Sequence, residues 1–301
     1  MQSFYTPRAA SEIYLLSLQS LESRKTMICF LNRIALLTQQ LKCHKKIDWS
    51  ALHYEDILQL LSTLRAEGKA PSTINSYLSA VKGAAREAWR KKQLTTQHYT
   101  HIKEIKRVKG IRESKGRALE LDELNQLINH CSAQNSPICI RDAAMIAVIY
   151  AAGLRREECA KLKRSDLNLN DSSLRIMGKG NKQRKNYLCA RSIELLNRYL
   201  LIRGSASGPL FYRGIKSGVL IAHGISSQAV YDILARRQKA AGVEHLTPHD
   251  LRRTFATNLL LNGIDIFTVQ DLMGHANVDT TKHYDHRKKE TSKVAALSLL
   301  F

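Results

Sequence analysis

A histidine and an arginine lie near the start of a strongly signalled helix. Thr247 has the residue type of an N-cap, Pro248 suits the first helical position, and Asp250 suits the reciprocal capping acid. These three residues fix where the helix begins. They therefore also fix the positions of His249 and Arg252 in its first turns.

His249 and Arg252 are three residues apart, so we expect them to share one face of this helix. We expect that face to point away from the core. A separate apolar stripe would contact the core, and it consists of Leu251, Phe255 and Leu259. Helix N-termini favour anions, and a guanidinium group matches the geometry of a phosphate. The pattern therefore predicts a phosphate-binding site.

Four other fragments are recognisable beside residues 249–257. They are Gly-Leu-Arg-Arg-Glu-Glu at 153–158, Gly-Lys-Gly-Asn-Lys at 178–182, Leu-Met-Gly-His at 272–275 and Thr-Thr-Lys-His-Tyr at 280–284. In this order and at these intervals, the five fragments closely resemble the signature of the tyrosine recombinases, the phage integrase family. The resemblance covers roughly residues 119–284. The N-terminal part resembles more loosely the helical core-binding domain of that family.

The resemblance implies cleavage of a DNA phosphodiester through a covalent bond to the protein. Tyr284 would attack phosphorus and form a 3′-phosphotyrosine, while Arg155 and Arg252 would clamp the non-bridging oxygens. Lys179, at the tip of a hairpin, would donate a proton to the departing 5′ oxygen.

Two histidines and a glutamate complete the implied site. His249 would assist proton transfer to or from Tyr284, and His275 would contact the phosphate or orient its neighbours. Glu158 would support the site without reacting. Because the phosphotyrosine conserves the energy of the broken bond, the resemblance implies that no cofactor is needed.

The predicted hairpin carries three further basic residues that compete with Lys179 for the role of proton donor: Lys182, Arg184 and Lys185. The position of Lys179 between two glycines favours it. For the other three, we expect either phosphate contact or simple solvation.

Other assignments also have structural alternatives. Arg155 alone could be a cation at a helix C-terminus, and His275 could simply end a helix. Tyr284 alone would usually be a packed aromatic residue. Arg253 stands where many members of the family carry a second histidine. Arg156 is expected to be solvated.

A metal-dependent nuclease is the main chemical alternative, because there are 11 histidines and His283 and His286 have a ligand-like interval. The sequence contains no H-E-x-x-H and no cluster of carboxylates typical of two-metal catalysis. We therefore predict no catalytic metal.

The composition favours a polyanionic partner. Lys and Arg number 47 against 26 Asp and Glu, which gives a formal net charge of +21 in 301 residues. The excess positive charges repel one another, and binding to nucleic acid offsets this repulsion.

The longest apolar stretch, residues 143–153, is too short to span a membrane, and the N-terminus lacks the pattern of a secretory signal. Six scattered cysteines without a C-x-x-C pair argue against a disulfide framework, so we expect a cytoplasmic protein.

The length and the change of pattern along the chain predict two domains that form a DNA clamp. Residues 1–112 would be a helical core-binding domain, whose clearest helix begins at Pro71. Residues 113–301 would be the catalytic domain, mainly α with a small β-hairpin or sheet (an α+β fold) and helical again after the hairpin. A basic run from His101 to Arg117 would link the two and follow the DNA backbone, although a solvated linker is the alternative.

The last eleven residues, 291–301, carry an apolar stripe too short to form a core alone. In the family such a tail docks on a neighbouring protomer, so we expect a homotetramer on double-stranded DNA with specific recombination sites. A type IB topoisomerase and a non-catalytic DNA-binding regulator are the alternatives. The sequence leaves open the DNA site, the type of recombination and any accessory DNA-bending proteins.

Overall fold

The computed structural model describes residues 8–110, 116–178, 182–275, 277, 278, 281 and 284. The chain forms two compact units, residues 1–113 and 114–301. In the described parts, the fold is mainly helical with two small antiparallel sheets.

In the described part of the first unit, four helices surround a long central helix. The helices are α1 (Ala10–Ser17), α2 (Leu21–Gln39), α3 (Tyr54–Ala66), α4 (Pro71–Arg90) and α5 (Thr96–Glu104). As predicted, α4 begins at Pro71, and it packs against each of the other four helices. Gly83 allows α1 to approach closely, because a Cβ atom there would lie 2.2 Å from the Tyr14 ring.

The second unit contains the remaining elements. Its helices are α6 (Leu121–Ser132), α7 (Pro137–Ala151), α8 (Arg156–Lys161), α9 (Ala190–Arg203), α10 (Ser227–Ala241), α11 (Pro248–Leu261) and α12 (Ile266–Met273). Its strands are β1 (Leu167–Asn168), β2 (Ser173–Met177), β3 (Gln183–Tyr187), β4 (Tyr212–Gly214) and β5 (Leu220–Gly224). Helix α7 is apolar nearly all round and buried, and it packs against α6, α9 and α11.

The predicted hairpin is present as β2 and β3, and β1 extends it to three strands in the order β1-β2-β3. The prediction that only helices follow this hairpin was wrong, because β4 and β5 form a second antiparallel pair. Strand β5 has no fully buried residue, so it lacks the alternation of apolar and polar residues that would have identified it.

The basic run is not a uniform linker. Its first residues, including His101 and Lys103, lie in α5. Its last residue, Arg117, donates two hydrogen bonds of 2.6 and 2.8 Å to Glu123 and so belongs to the catalytic unit. Among the described residues, no helix is both long and apolar enough to cross a membrane.

Candidate active site

Helix α11 begins as the sequence predicts. Thr247 accepts a hydrogen bond from the backbone N–H of Asp250, and the Asp250 carboxylate accepts one from the backbone N–H of Thr247 at 2.8 Å. This reciprocal cap fixes the first turn of the helix. It places His249 at an exposed position, where the sequence analysis expected it.

Arg252 does not share that exposed face, so this part of the prediction was wrong. Only 1% of the Arg252 surface is exposed. Its Nη1 and Nη2 donate to the backbone carbonyls of Gly153 and Met273. Burial and the neighbouring Arg155 lower the pKa of Arg252 to about 9, so the guanidinium stays charged at neutral pH.

Arg155 lies near this buried charge, at the N-cap of α8. It is therefore not the helix C-terminal cation considered as an alternative. Its Nη1 donates to Glu158 Oε1 at 2.8 Å, and its Nη2 donates to the Gly274 carbonyl at 3.3 Å. The side chain remains 38% exposed, so it can reach a ligand from solvent.

Glu158 is the buried carboxylate that joins the arginines. It accepts hydrogen bonds from the side chain and backbone N–H of Arg155 and from Arg184, and it lies 3.7 Å from Arg252 Nη1. Burial opposes its charge, but the hydrogen bonds from Arg184 and Arg155 prevail and lower the pKa of Glu158 to about 2. The carboxylate is therefore ionised and holds these side chains in place.

Arg184 differs from its predicted role, because it is neither solvated nor free for a phosphate. Its Nη1 and Nη2 donate to the two carboxylate oxygens of Glu158 at 2.9 and 2.8 Å, and its Nε donates to the Leu272 carbonyl at 2.9 Å. Only 11% of its side chain is exposed. In the structure, Arg184 and Asn186 pair with the buried Ile176 and Leu174, so they point to the same face of the sheet.

Tyr284 lies beside His249 and His275. Its Oη is 3.4 Å from His249 Nε2, and its ring lies 6.1 Å from the His275 ring, centroid to centroid. The Arg253 guanidinium lies over the Tyr284 ring at 5.3 Å. Tyr284 is 4% exposed and packs with Phe255 and other apolar residues of α11 and α12. The tyrosine thus belongs both to a small apolar cluster and to the polar site.

The two histidines of the site favour the neutral form. Partial desolvation of the His249 ring, together with Arg252 and Arg253, lowers the pKa of this residue although part of its surface is exposed. Burial and Arg252 lower the pKa of His275 to about 4. A neutral His249 can accept a proton at Nε2, which faces Tyr284.

The end of α12 positions His275. Gly274 adopts the left-handed conformation at the C-cap with φ of 59°, and the backbone N–H of His275 donates to the Gln270 carbonyl at 3.1 Å. The backbone of His275 therefore does end the helix, as one alternative proposed. Its side chain has a separate role, because Nδ1 lies 2.9 Å from Thr281 Oγ1 and the ring faces Tyr284.

Lys179 lies outside the described residues, as do Thr280, His283, His286 and the tail 291–301. At the described base of the hairpin tip, the backbone N–H of Gly178 donates to the Lys182 carbonyl at 2.7 Å. Lys182 is exposed, and Lys185 forms an exposed ion pair with Asp171 at 2.7 Å. Within the described ranges, no three His, Cys, Asp or Glu residues are arranged to hold a metal ion.

Residues 117–291 match the Phage integrase family, and residues 13–92 match its N-terminal SAM-like domain. The XerD tyrosine recombinase of Listeria monocytogenes is 32% identical over 247 residues, which cover 80% of this chain and 80% of that protein.

Solved structures show the same fold. The XerH site-specific recombinase in a post-cleavage complex with its palindromic difH substrate has a TM-score of 0.63 and 24% identity, covering 92% of this chain and 77% of that chain. A lambda integrase dimer bound to a COC′ core site has a TM-score of 0.68 and 20% identity, covering 93% and 94%.

The chain therefore belongs to the phage integrase family of tyrosine recombinases. It is a site-specific DNA recombinase of the Xer-like type, with a SAM-like core-binding domain and an integrase catalytic domain.

Proposed function

We propose that Tyr284 is the nucleophile that opens the DNA strand. The observation that carries this proposal is the 3.4 Å separation between Tyr284 Oη and His249 Nε2. Arg155 and Arg252 lie in the same unit. His249 accepts the phenolic proton as the oxygen attacks phosphorus. The bond from phosphorus to the 5′ oxygen breaks, and the 3′ phosphate remains attached to Tyr284.

The arginines would stabilise the charge that develops on the phosphate. Arg155 is exposed enough to contact a non-bridging oxygen directly, whereas Arg252 supplies a fixed positive charge from its buried position. A buried, preorganised charge needs little rearrangement when the pentacovalent state forms, and its effect is large where water is excluded. Both roles depend on Glu158, which orients the two guanidinium groups.

Lys179 and His275 would complete the reaction. Lys179 protonates the departing 5′ oxygen, in keeping with its place between Gly178 and Gly180 at the hairpin tip. His275 donates a hydrogen bond to the phosphate from its neutral ring, or orients Tyr284, which its ring faces. Reversal by a second 5′ hydroxyl rejoins the strands, so the reaction requires neither nucleotide nor metal.

Substitution of the nucleophile tests this proposal. We expect Tyr284→Phe to bind DNA with unchanged affinity and to form no covalent adduct with a nicked suicide substrate on a denaturing gel. Tyr231→Phe, which removes a hydroxyl from α10 in the same unit, should form the adduct at the rate of the unmodified protein. A DNA-linked band from Tyr284→Phe would show that the nucleophile lies elsewhere.

We further propose that the protein acts in the cytoplasm as a homotetramer on two specific recombination sites. The family membership, the net charge of +21 and the apolar tail support this assembly. The lambda integrase dimer bound to a core site and XerH bound to difH offer precedents within the same fold. Site specificity and synapsis distinguish this function from that of a type IB topoisomerase, and covalent attachment distinguishes it from that of a DNA-binding regulator.

A further inference from the structure

Arg184 connects three elements of the candidate site, and only 11% of its side chain is exposed. It lies on β3, it forms a two-point ion pair with Glu158, which follows Arg155 on α8, and it donates to the Leu272 carbonyl at the end of α12. We propose that Arg184 is a positioning residue for strand cleavage, which engages Glu158 so that Arg155 and Arg252 remain available to the phosphate. This proposal rests on the function proposed above.

The charges around Glu158 show why a third arginine is needed. The carboxylate is 5% exposed, and a charge so buried requires partners. Arg184 supplies one donor to each carboxylate oxygen, in the fork geometry that makes the strongest ion pairs. Apart from Arg184, the cations that lie near this carboxylate among the described residues are Arg155 and Arg252.

Loss of Arg184 would therefore change what Arg155 and Arg252 do. Without Arg184, the carboxylate would draw both guanidinium groups closer to itself, since both are already within 3.7 Å of it. Each is proposed to stabilise phosphate oxygens, so Glu158 would compete with the DNA for them. With Arg184 present, one positive charge offsets Glu158 and the charges of the other two arginines remain for the phosphate.

The same side chain also holds the segment that carries His275. A Cβ atom added to Gly274 would lie 3.1 Å from Arg184 Nη1, so the guanidinium packs directly against this turn. Arg155 Nη2 donates to the Gly274 carbonyl from another direction. Arg184 therefore sets the relative positions of the α8 N-terminus and the α12 C-terminus, on which Arg155 and His275 lie.

The first test separates binding from catalysis. We would compare Arg184→Gln with Arg175→Gln, because Arg175 lies on the neighbouring strand β2 but is 53% exposed and pairs with Asp166. Cleavage of nicked duplex DNA would be followed in single turnover at saturating protein, and affinity would be measured by gel shift. We expect Arg184→Gln to cleave at least about tenfold more slowly, with a dissociation constant within about threefold of the original, and Arg175→Gln to keep its cleavage rate.

A double-mutant cycle with Glu158→Gln tests the proposed cause. If Arg184 acts by occupying the carboxylate, Arg184→Gln should slow cleavage much less in the Glu158→Gln background than in the original protein. Circular dichroism would establish folding. If Arg184→Gln does not fold, Arg184→Lys, which keeps the charge but loses the fork, takes its place and should also slow cleavage.

Three results would overturn the proposal: an unchanged cleavage rate in the Arg184 variant, an equal loss of rate in both backgrounds, or a loss explained wholly by weaker DNA binding. Failure of the proposed function would look different. In that case neither the original protein nor Arg175→Gln would form a covalent adduct at all.

Discussion

The half-buried imidazole of His275 couples the stability of the catalytic unit to pH. Burial and Arg252 lower its pKa to about 4 in the folded protein, whereas an unfolded chain has a histidine pKa of about 6.5. As the pH falls through 6.5, the unfolded state gains the proton first, and folding therefore becomes less favourable. The loss continues until the pH reaches the folded-state value.

The size of this effect follows from the difference between the two pKa values. Each pKa unit corresponds to about 1.4 kcal/mol, so below pH 4 the full difference would lower the free energy of unfolding by about 3 kcal/mol. Between pH 7 and pH 5 the same linkage gives about 2 kcal/mol. Because part of the ring is accessible to water, which screens the interaction, we expect about 1 to 2 kcal/mol in that interval.

Thermal or urea unfolding of the protein and of His275→Gln at pH 7 and pH 5 measures this contribution. The variant should lose less stability on acidification than the original protein, because glutamine does not titrate. His223→Gln removes an exposed histidine on β5 and serves as the control. If the original protein and His275→Gln lose equal stability between the two pH values, the reasoning about His275 is wrong.

Three further predictions concern the reaction and its assembly. Strand cleavage and rejoining should proceed in excess EDTA without nucleotide, and activity restored only by magnesium or zinc would instead favour a metal nuclease. Each phosphate contact contributes about −0.9 to the slope of log K against log salt. Alanine at four exposed basic positions should therefore weaken DNA binding and flatten this slope by up to about 3.6. An unchanged slope would indicate a solvated segment. These positions are Lys103, Lys106, Arg107 and Lys109. Deletion of residues 291–301 should preserve binding to one site and abolish cooperative binding to two sites in gel-shift titrations; undiminished cooperativity would show that the tail packs within its own protomer.

Local signals made much of the fold predictable. The starts of α4 and α11 follow from a proline at the first helical position, to which α11 adds its capping residues. The pair β4 and β5 could not be found in this way. Its strands are short and mostly exposed, so they lack the two-residue alternation that burial of one face imposes.

In the candidate site, too, some features could be predicted from the sequence and others could not. Residue type and order, through the resemblance to the family, predicted a nucleophile, two phosphate-binding arginines and two histidines, and these roles stay predictions. The sequence did not determine which guanidinium groups face solvent, since that depends on elements distant in the chain. Arg252 can be buried because the carbonyls at the ends of α7 and α12 accept hydrogen bonds from its guanidinium group.

Arg184 shows the difference most clearly. The sequence by itself determined the family, the two-domain organisation and the residue types available for catalysis. Only the tertiary structure decided that Arg184, one of the basic residues of the hairpin, would pair with Glu158. The physical reason is that a buried carboxylate must be neutralised by whichever cation folding brings within hydrogen-bond distance, and this distance depends on how β3 packs against α8 and α12.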